Sequence, residues 1–528
     1  MRLFCSYSIM AWSQVSCVGF LMIACAMAQT VPMAGRKNVL MLIADDMRPN
    51  IGVYEDANEA YFNSPTMVTP NLDALAEKSL VLTRAYTQVA LCGPSRNSFL
   101  TGRRADTTRC YVTEDKFRET GGEDWITIPQ FFKENGYISL GVGKIFHPGI
   151  PGAPKGDDWP ASWTEEVFHT ESTDDNSVSW KAVTKEEMEQ TKLRDIANAD
   201  YAIDKLKDLA ADALLGIQPF FLAFGLHKPH MPWDFPEEFL DYYPEEDIQL
   251  PANPYVPYDM PDSAWSTPTG LLNYEDCSAE GTGIENIGEP NVTYSDEHTK
   301  ELRRAYYASI SFADQQIGRI LDVLDGLGLA ENTVVAFLGD HGLHMGEHSE
   351  WEKYTNFEIT HRAPLMLHVP GVVDSSIVSD KLVEFVDIFP SLVEGAGFDP
   401  LTRCDPFNSR NESLCREGTS LLELVSDPDE WKTAAFYQQP RGYWVDNTHK
   451  YQGYTVVTEQ YRYSEYVNLN NLATEEQTPN WGDPQDFGEL YDLVNDPLET
   501  TNLIHDEAYD DIIKELKQLL HQGWHHHN

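Results

Sequence analysis

Several polar residues fall just where short apolar runs stop. Asn38 to Ala44 gives way to Asp45-Asp46, Tyr137 to Val142 is followed by Lys144, Phe220 to Leu226 by His227, and Val334 to Leu338 by Asp340-His341. Three carboxylates offer the hard oxygens that suit calcium or magnesium, and a lysine and imidazoles offer charge for an anion and a route for a proton. One Asp pair by itself can simply cap a turn. Two acidic clusters at two run ends point instead to a shared metal ion.

The elements that must position these residues follow from the same runs. They read as strands buried on both faces. Helical patterns intervene, one with Thr69 as N-cap and Pro70 in its first turn before Leu72, Leu75, Ala76 and Leu80. A longer one runs from Glu301 to Leu324, closed by Gly326. Alternating strands and helices give an α/β class, and in open α/β sheets ligands collect outside the carboxyl ends of the strands. Asp45, Asp46, Lys144, His227, Asp340 and His341 are therefore expected to line one site. Residues 157–195 and 251–290 read as surface excursions. After about Asp427, Tyr-rich alternation predicts antiparallel strands and a last helix near Tyr509 to Leu520.

A further stretch, Cys92-Gly93-Pro94-Ser95-Arg96 running on to Thr101-Gly102-Arg103, resembles the C-x-P-S-R and T-G-R signature of the sulfatases, and Gly136 to His147 resembles their second signature. The resemblance covers nearly the whole chain after residue 36 and points to the iduronate-2-sulfatase-like branch. Its marks are Asp45-Asp46-Met47-Arg48-Pro49, Thr107-Thr108-Arg109, Gly143 to Gly149, His227-Lys228-Pro229-His230, Gly346-Glu347-His348, Trp351 to Tyr354 and Glu489 to Leu493. It implies an alkaline phosphatase-like fold: a large mixed, mostly parallel sheet flanked by helices, with a smaller C-terminal α+β subdomain carrying an antiparallel sheet. The catalytic domain is expected over 36–426 and the subdomain over 427–528.

The resemblance also implies roles. Cys92 becomes formylglycine through a formylglycine-generating enzyme, at what looks like the start of a helix, where an anion is favoured. One calcium ion is held by Asp45, Asp46, Asp340, His341 and residue 92. Arg96, Lys144 and Lys353 bind sulfate or leaving-group oxygens, His227 donates the leaving-group proton, and His147 is the base that helps expel sulfate. His230, His344, His348 and His361 carry less weight. The expected substrate is a sulfated mono- or oligosaccharide, ending in a 2-O-sulfated uronate. Gly93 and Leu343 depart from the branch pattern, which bears on the sugar rather than the chemistry. The alternatives are a phosphate or phosphonate ester hydrolase of the same superfamily, and a silent sulfated-glycan binder if Cys92 stays a thiol.

Composition narrows the setting. With 84 acidic and 38 basic residues the formal charge is -46, which excludes nucleic-acid binding driven by phosphate contacts. Arg2, the apolar Val15 to Ala24 and Ala26-Met27-Ala28 read as a signal peptide cleaved after residue 28, too short an apolar stretch for a transmembrane anchor. A secreted or lysosomal destination follows, or a periplasmic or extracellular one in a bacterium. Five cysteines then remain. One being chemically special leaves room for two disulfides, of which Cys404 to Cys415 has the short spacing. The sequons at Asn291 and Asn411 fit the glycoprotein of a eukaryotic secretory route.

Overall fold

Alternate residues of the first strand, β1 (Asn38–Ala44), bury into opposite cores: Leu40, Leu42 and Ala44 into one, Val39, Met41 and Ile43 into the other. That two-sided burial is why its sequence is apolar throughout rather than alternating. The computed structural model describes residues 35–523 apart from 56–62, 148–156, 173, 175, 407, 442–450, 469–478, 480, 482 and 483. The expected signal peptide, Pro148-Gly149, Tyr443 and the terminal histidines lie outside these residues.

Beside β1 the main sheet contains β2 (Leu80–Leu82), β3 (Ile138–Gly143), β4 (Phe220–Gly225), β5 (Thr333–Gly339), β6 (Leu365–His368) and β7 (Ile377–Ser379), in the order β7-β2-β6-β5-β1-β4-β3. Only β6 runs against its neighbours; the other pairings in the sheet are parallel. The sheet is thus mixed and mostly parallel, and β1, β3, β4 and β5 end on the same side.

Helices cover both faces. One face carries α1 (Pro70–Ala76), α4 (Arg194–Leu214) and α5 (Asp296–Gly326); the other carries α2 (Cys92–Thr101), α3 (Ile128–Glu134) and α6 (Ile388–Gly395). The long helix α5 starts earlier than its apolar pattern. Ser295 accepts from the His298 amide at 3.2 Å, and Asp296 and Glu297 occupy the first turn, so capping and dipole set its start. Its end is marked by Gly328 at φ 73°, two residues beyond the expected Gly326.

Toward the C-terminus, β8 (Ala435–Arg441), β9 (Tyr451–Val457), β10 (Tyr461–Asn468) and β11 (Pro484–Asp492) form an antiparallel sheet in sequence order. The last helix, α7 (Asp510–Gln522), packs Leu516 and Leu520 against Phe436, Val456, Tyr463 and Leu490. The expected surface excursions do more than wander over the surface: Trp163, Leu271 and Cys277 are buried, and the amides of Ser266 and Leu271 donate to Glu350 and Glu352.

Cys404 and Cys415 are disulfide-bonded. Among the described residues no second bridge forms, and Cys110 and Cys277 are buried in the cores on opposite faces of the sheet.

Candidate active site

The turn after β1 carries Asp45 and then Asp46, which adopts a left-handed φ of 60°. A non-glycine residue holds that conformation only when its surroundings fix it. Here the Asp46 amide donates to Asp340 Oδ1 at 2.9 Å, the Asp340 amide donates to Ala44 O at 3.0 Å, and the Tyr306 hydroxyl donates to Asp46 O at 2.9 Å. The ends of β1 and β5 are thereby locked together. Lys144 arrives from the neighbouring strands through a close backbone approach: its amide donates to Gly225 O at 2.9 Å, and a Cβ on Gly143 would lie 2.0 Å from that same oxygen.

Cys92 opens α2 and is buried. Its Sγ lies 3.3 Å from His341 Nε2 and 3.7 Å from Asp46 Oδ1. Burial first, then Asp45, pushes the Cys92 thiol well above its ordinary range against the pull of Lys144 and Lys353. As a thiol it is a weak nucleophile.

Three cations stand against the three carboxylates. Arg96 donates through Nε to Asp340 at 2.9 Å and through an Nη to Asp45 at 3.3 Å; Lys144 donates to Asp45; Lys353 donates to both oxygens of Asp46 at 2.6 and 2.7 Å. All six are buried. Burial alone would raise the Asp46 pKa, but His230, Lys353 and His341 hold it down at about 2. Asp45 likewise sits well below the usual range because Lys144, His230, Arg96 and Lys353 outweigh its burial.

The donor set fits a hard divalent cation. Oxygens of Asp45, Asp46 and Asp340 lie within 4.8 Å of one another, and so do the ligand atoms of Asp46, Cys92 and His341. His341 Nδ1 gives its hydrogen to Gly342 O at 2.8 Å, and its Nε2 faces Asp46 Oδ1 at 3.3 Å.

Next to this cluster lies a cavity of about 240 Å³ whose wall includes Asp45, Lys144, His147, His227, His230, Arg194, Lys228 and Asp174. A larger hollow of about 540 Å³ beside the start of α5 contains none of these residues. His147 Nδ1 is buried without a hydrogen-bond partner, and burial, then Lys144, lowers its pKa to about 2, so the ring is neutral. His227 Nδ1 is 3.2 Å from Asp195 Oδ1. At the rim, Arg194 pairs with Asp174 at 2.8 Å and Lys228 approaches the same carboxylate at 3.7 Å.

Asp45, Asp46, Cys92, Arg96, Lys144, His147, His227, Asp340, His341 and Lys353 therefore meet around one cluster and its cavity. His230 joins them with Nε2 3.9 Å from Asp46. His344, His348 and His361 are buried against Thr355, Leu498 and Thr87 and prop the surrounding loops. Arg194, Asp195 and Asp174 have no marking in the sequence beyond ordinary charge. The Gly93 departure has a packing cause, since a Cβ there would lie 3.0 Å from Thr113 Cα and O.

Residues 37–398 match the family Sulfatase, and residues 346–525 match the family N-sulphoglucosamine sulphohydrolase, C-terminal. The chain belongs to the sulfatase family. It is 35% identical to iduronate 2-sulfatase of Mus musculus, with 91% of this chain and 93% of the mouse protein covered, and 35% identical to that of Homo sapiens, with 90% and 92% covered. A solved protein in complex with its substrate D-glucosamine-2-N,6-O-disulfate shares the fold at a TM-score of 0.66 and 19% identity, covering 92% of this sulfatase and 97% of that chain. The protein is accordingly a sulfuric ester hydrolase, and neither phosphorus ester hydrolysis nor silent glycan binding is favoured. Among the described residues of this sulfatase no helix is long and apolar enough to cross a membrane.

Proposed function

We propose that this sulfatase removes the sulfate of a terminal 2-O-sulfated uronate, using one calcium ion and a formylglycine made from Cys92. The observation that carries the sugar is the cavity rim, where Arg194 and Lys228 share the single carboxylate of Asp174. That leaves one positive charge for the acid group of a uronate lying beside its sulfate. A cavity of about 240 Å³ suits one sugar ring rather than a chain, being smaller than the ~300–1,000 Å³ of drug-sized sites. The names of the mouse and human relatives agree with this substrate.

Asp45, Asp46, Asp340, His341 and residue 92 would hold the calcium, which supplies fixed positive charge for a sulfate oxygen. Formylglycine, as its hydrate, supplies an oxygen nucleophile in place of sulfur. Arg96, Lys144 and Lys353 neutralise the sulfate oxygens from a buried, prearranged position. His227 gives a proton from Nε2 to the departing sugar oxygen. His147, neutral and with Nδ1 open, takes up the proton whose loss lets sulfate leave. A formylglycine-generating enzyme is the maturation partner. The Cys404–Cys415 bond supports an oxidising destination, secreted or lysosomal, or periplasmic or extracellular in a bacterium.

The test is turnover on defined sulfated sugars and on a length series of heparan-type or dermatan-type oligosaccharides, with products mapped to terminal or internal positions. Efficiency should be highest for terminal 2-O-sulfated uronates and should fall with length at low salt, because a charge of -46 repels a long polyanion until salt screens it. Rapid loss of internal sulfates from long chains at low salt would overturn the proposal. Peptide mass spectrometry across residue 92 decides the formylglycine.

A further inference from the structure

We infer that Asp195 is a positioning residue for the reaction, holding the His227 ring so that its proton is presented at Nε2 toward the cavity. The inference rests on His227 being the proton donor to the leaving oxygen. Asp195 is the second residue of α4, so its carboxylate sits at the positive end of a 21-residue helix. It is buried and gathers one short stretch of chain: the His227 amide at 3.0 Å, the Lys228 amide at 2.9 Å and His227 Nδ1 at 3.2 Å. A carboxylate accepts only, so Nδ1 must carry a hydrogen, and the exchangeable site of the ring is Nε2.

His227 lines the cavity wall while its other nitrogen is tied down behind it. This is the logic of an acid orienting a catalytic imidazole and stabilising its charged form. The surroundings make such help necessary. Burial, Arg194 and Lys144 disfavour a charged His227, and Asp195 opposes them through a hydrogen bond and its charge. His147, His230 and Lys228 share the wall, and its other carboxylates are engaged elsewhere, Asp174 with Arg194 and Asp45 with Lys144. Asp195 belongs to neither the metal cluster nor the cationic trio, so its role can be separated from both.

A purely structural Asp195 would cap the turn at His227 and Lys228 and nothing more. The two roles differ in what Asp195→Asn does. The amide keeps an oxygen for the backbone donors but removes the charge. If Asp195 positions the ring, kcat on a sulfated sugar should fall roughly 10²-fold, within the range general acid catalysis supplies, with KM little changed. An aryl sulfate with a good leaving group should lose far less. The limb along which kcat falls as His227 deprotonates should also move to lower pH. Asp195→Glu, with charge retained, should keep most of the leaving-group dependence of the parent. Equal loss on both ester classes, or an unmoved pH limb, would overturn the inference.

His227→Ala measured on the same esters separates the underlying assignment. If it shows no leaving-group dependence, His227 is not the donor; if it does and Asp195→Asn does not, Asp195 alone is misassigned. The tautomer is also readable in the unsubstituted enzyme by nitrogen-15 histidine resonance, independent of how any variant folds. A hydrogen on Nδ1 is expected at a pH where the ring is neutral, and one on Nε2 would overturn the inference.

Discussion

Replacing Lys353 by methionine tests the charge balance of the site without relying on turnover. Lys353 donates to both oxygens of Asp46 at 2.6 and 2.7 Å with both partners buried. Removing one partner of a buried pair leaves the other charge uncompensated, at a cost of about 3–5 kcal/mol. For a chain of 528 residues, at ~2 cal/mol/K of unfolding entropy per residue, that is a fall in Tm of roughly 3–5 °C if the protein melts as a unit. The acid side should move as well. A carboxylate held at about 2 contributes stability that is present above its unfolded pKa and lost as pH falls through the folded value. Without Lys353 that loss should begin at higher pH. Calcium should restore part of the stability, because a divalent cation on Asp46 replaces the missing ammonium. The assay is a set of melts of both proteins in chelator and in calcium from neutral pH downward. Equal melting of the variant and its parent in chelator would refute the balance; an equal deficit in both media would show that the cation does not take over.

Asp340→Ala should abolish turnover on aryl and sugar sulfates alike, and dialysis against chelator should do the same to the parent until calcium is returned; retained activity in metal-free enzyme would contradict the cluster's role. His147→Ala should release about one equivalent of alcohol per enzyme and then stall, seen as a burst in stopped-flow assays, because the protein lacks the group that accepts the later proton. Arg194→Met should raise KM for a 2-O-sulfated uronate several-fold while leaving an aryl sulfate nearly unaffected, a contrast visible in paired steady-state curves.

Much of the site was legible because burial on both faces forces a strand to be apolar until it ends, so polar clusters at the ends of β1, β4 and β5 stand out. Lys144 stands out in the same way after β3, whereas Cys92 needed the signature residues around it. Asp195 was hidden for the opposite reason: an acid in the first turn of a helix is ordinary capping chemistry, and its partner lies 32 residues away on another element. Asp174 was hidden inside a polar stretch that reads as solvated surface yet folds back over the cavity. The cysteines show the same division. Eleven residues of separation made Cys404 and Cys415 readable as a pair, whereas nothing local reveals that Cys110 and Cys277 lie on opposite sides of a sheet.

The lock between β1 and β5 also dictates how the polypeptide can be made. β1 is translated early, yet one of its edges is covered only by residues 333–339, almost three hundred positions later. Until these arrive, a nascent chain bears a naked apolar strand edge, a template for pairing with other chains. It also carries Asp45 and Asp46 without the guanidinium bridge that Arg96 makes to Asp340 and without Lys353. Such long-range closure is slow, and an unfinished fragment is an aggregation hazard rather than a weak hydrolase. C-terminal truncations ending before β5 should therefore be recovered as insoluble protein.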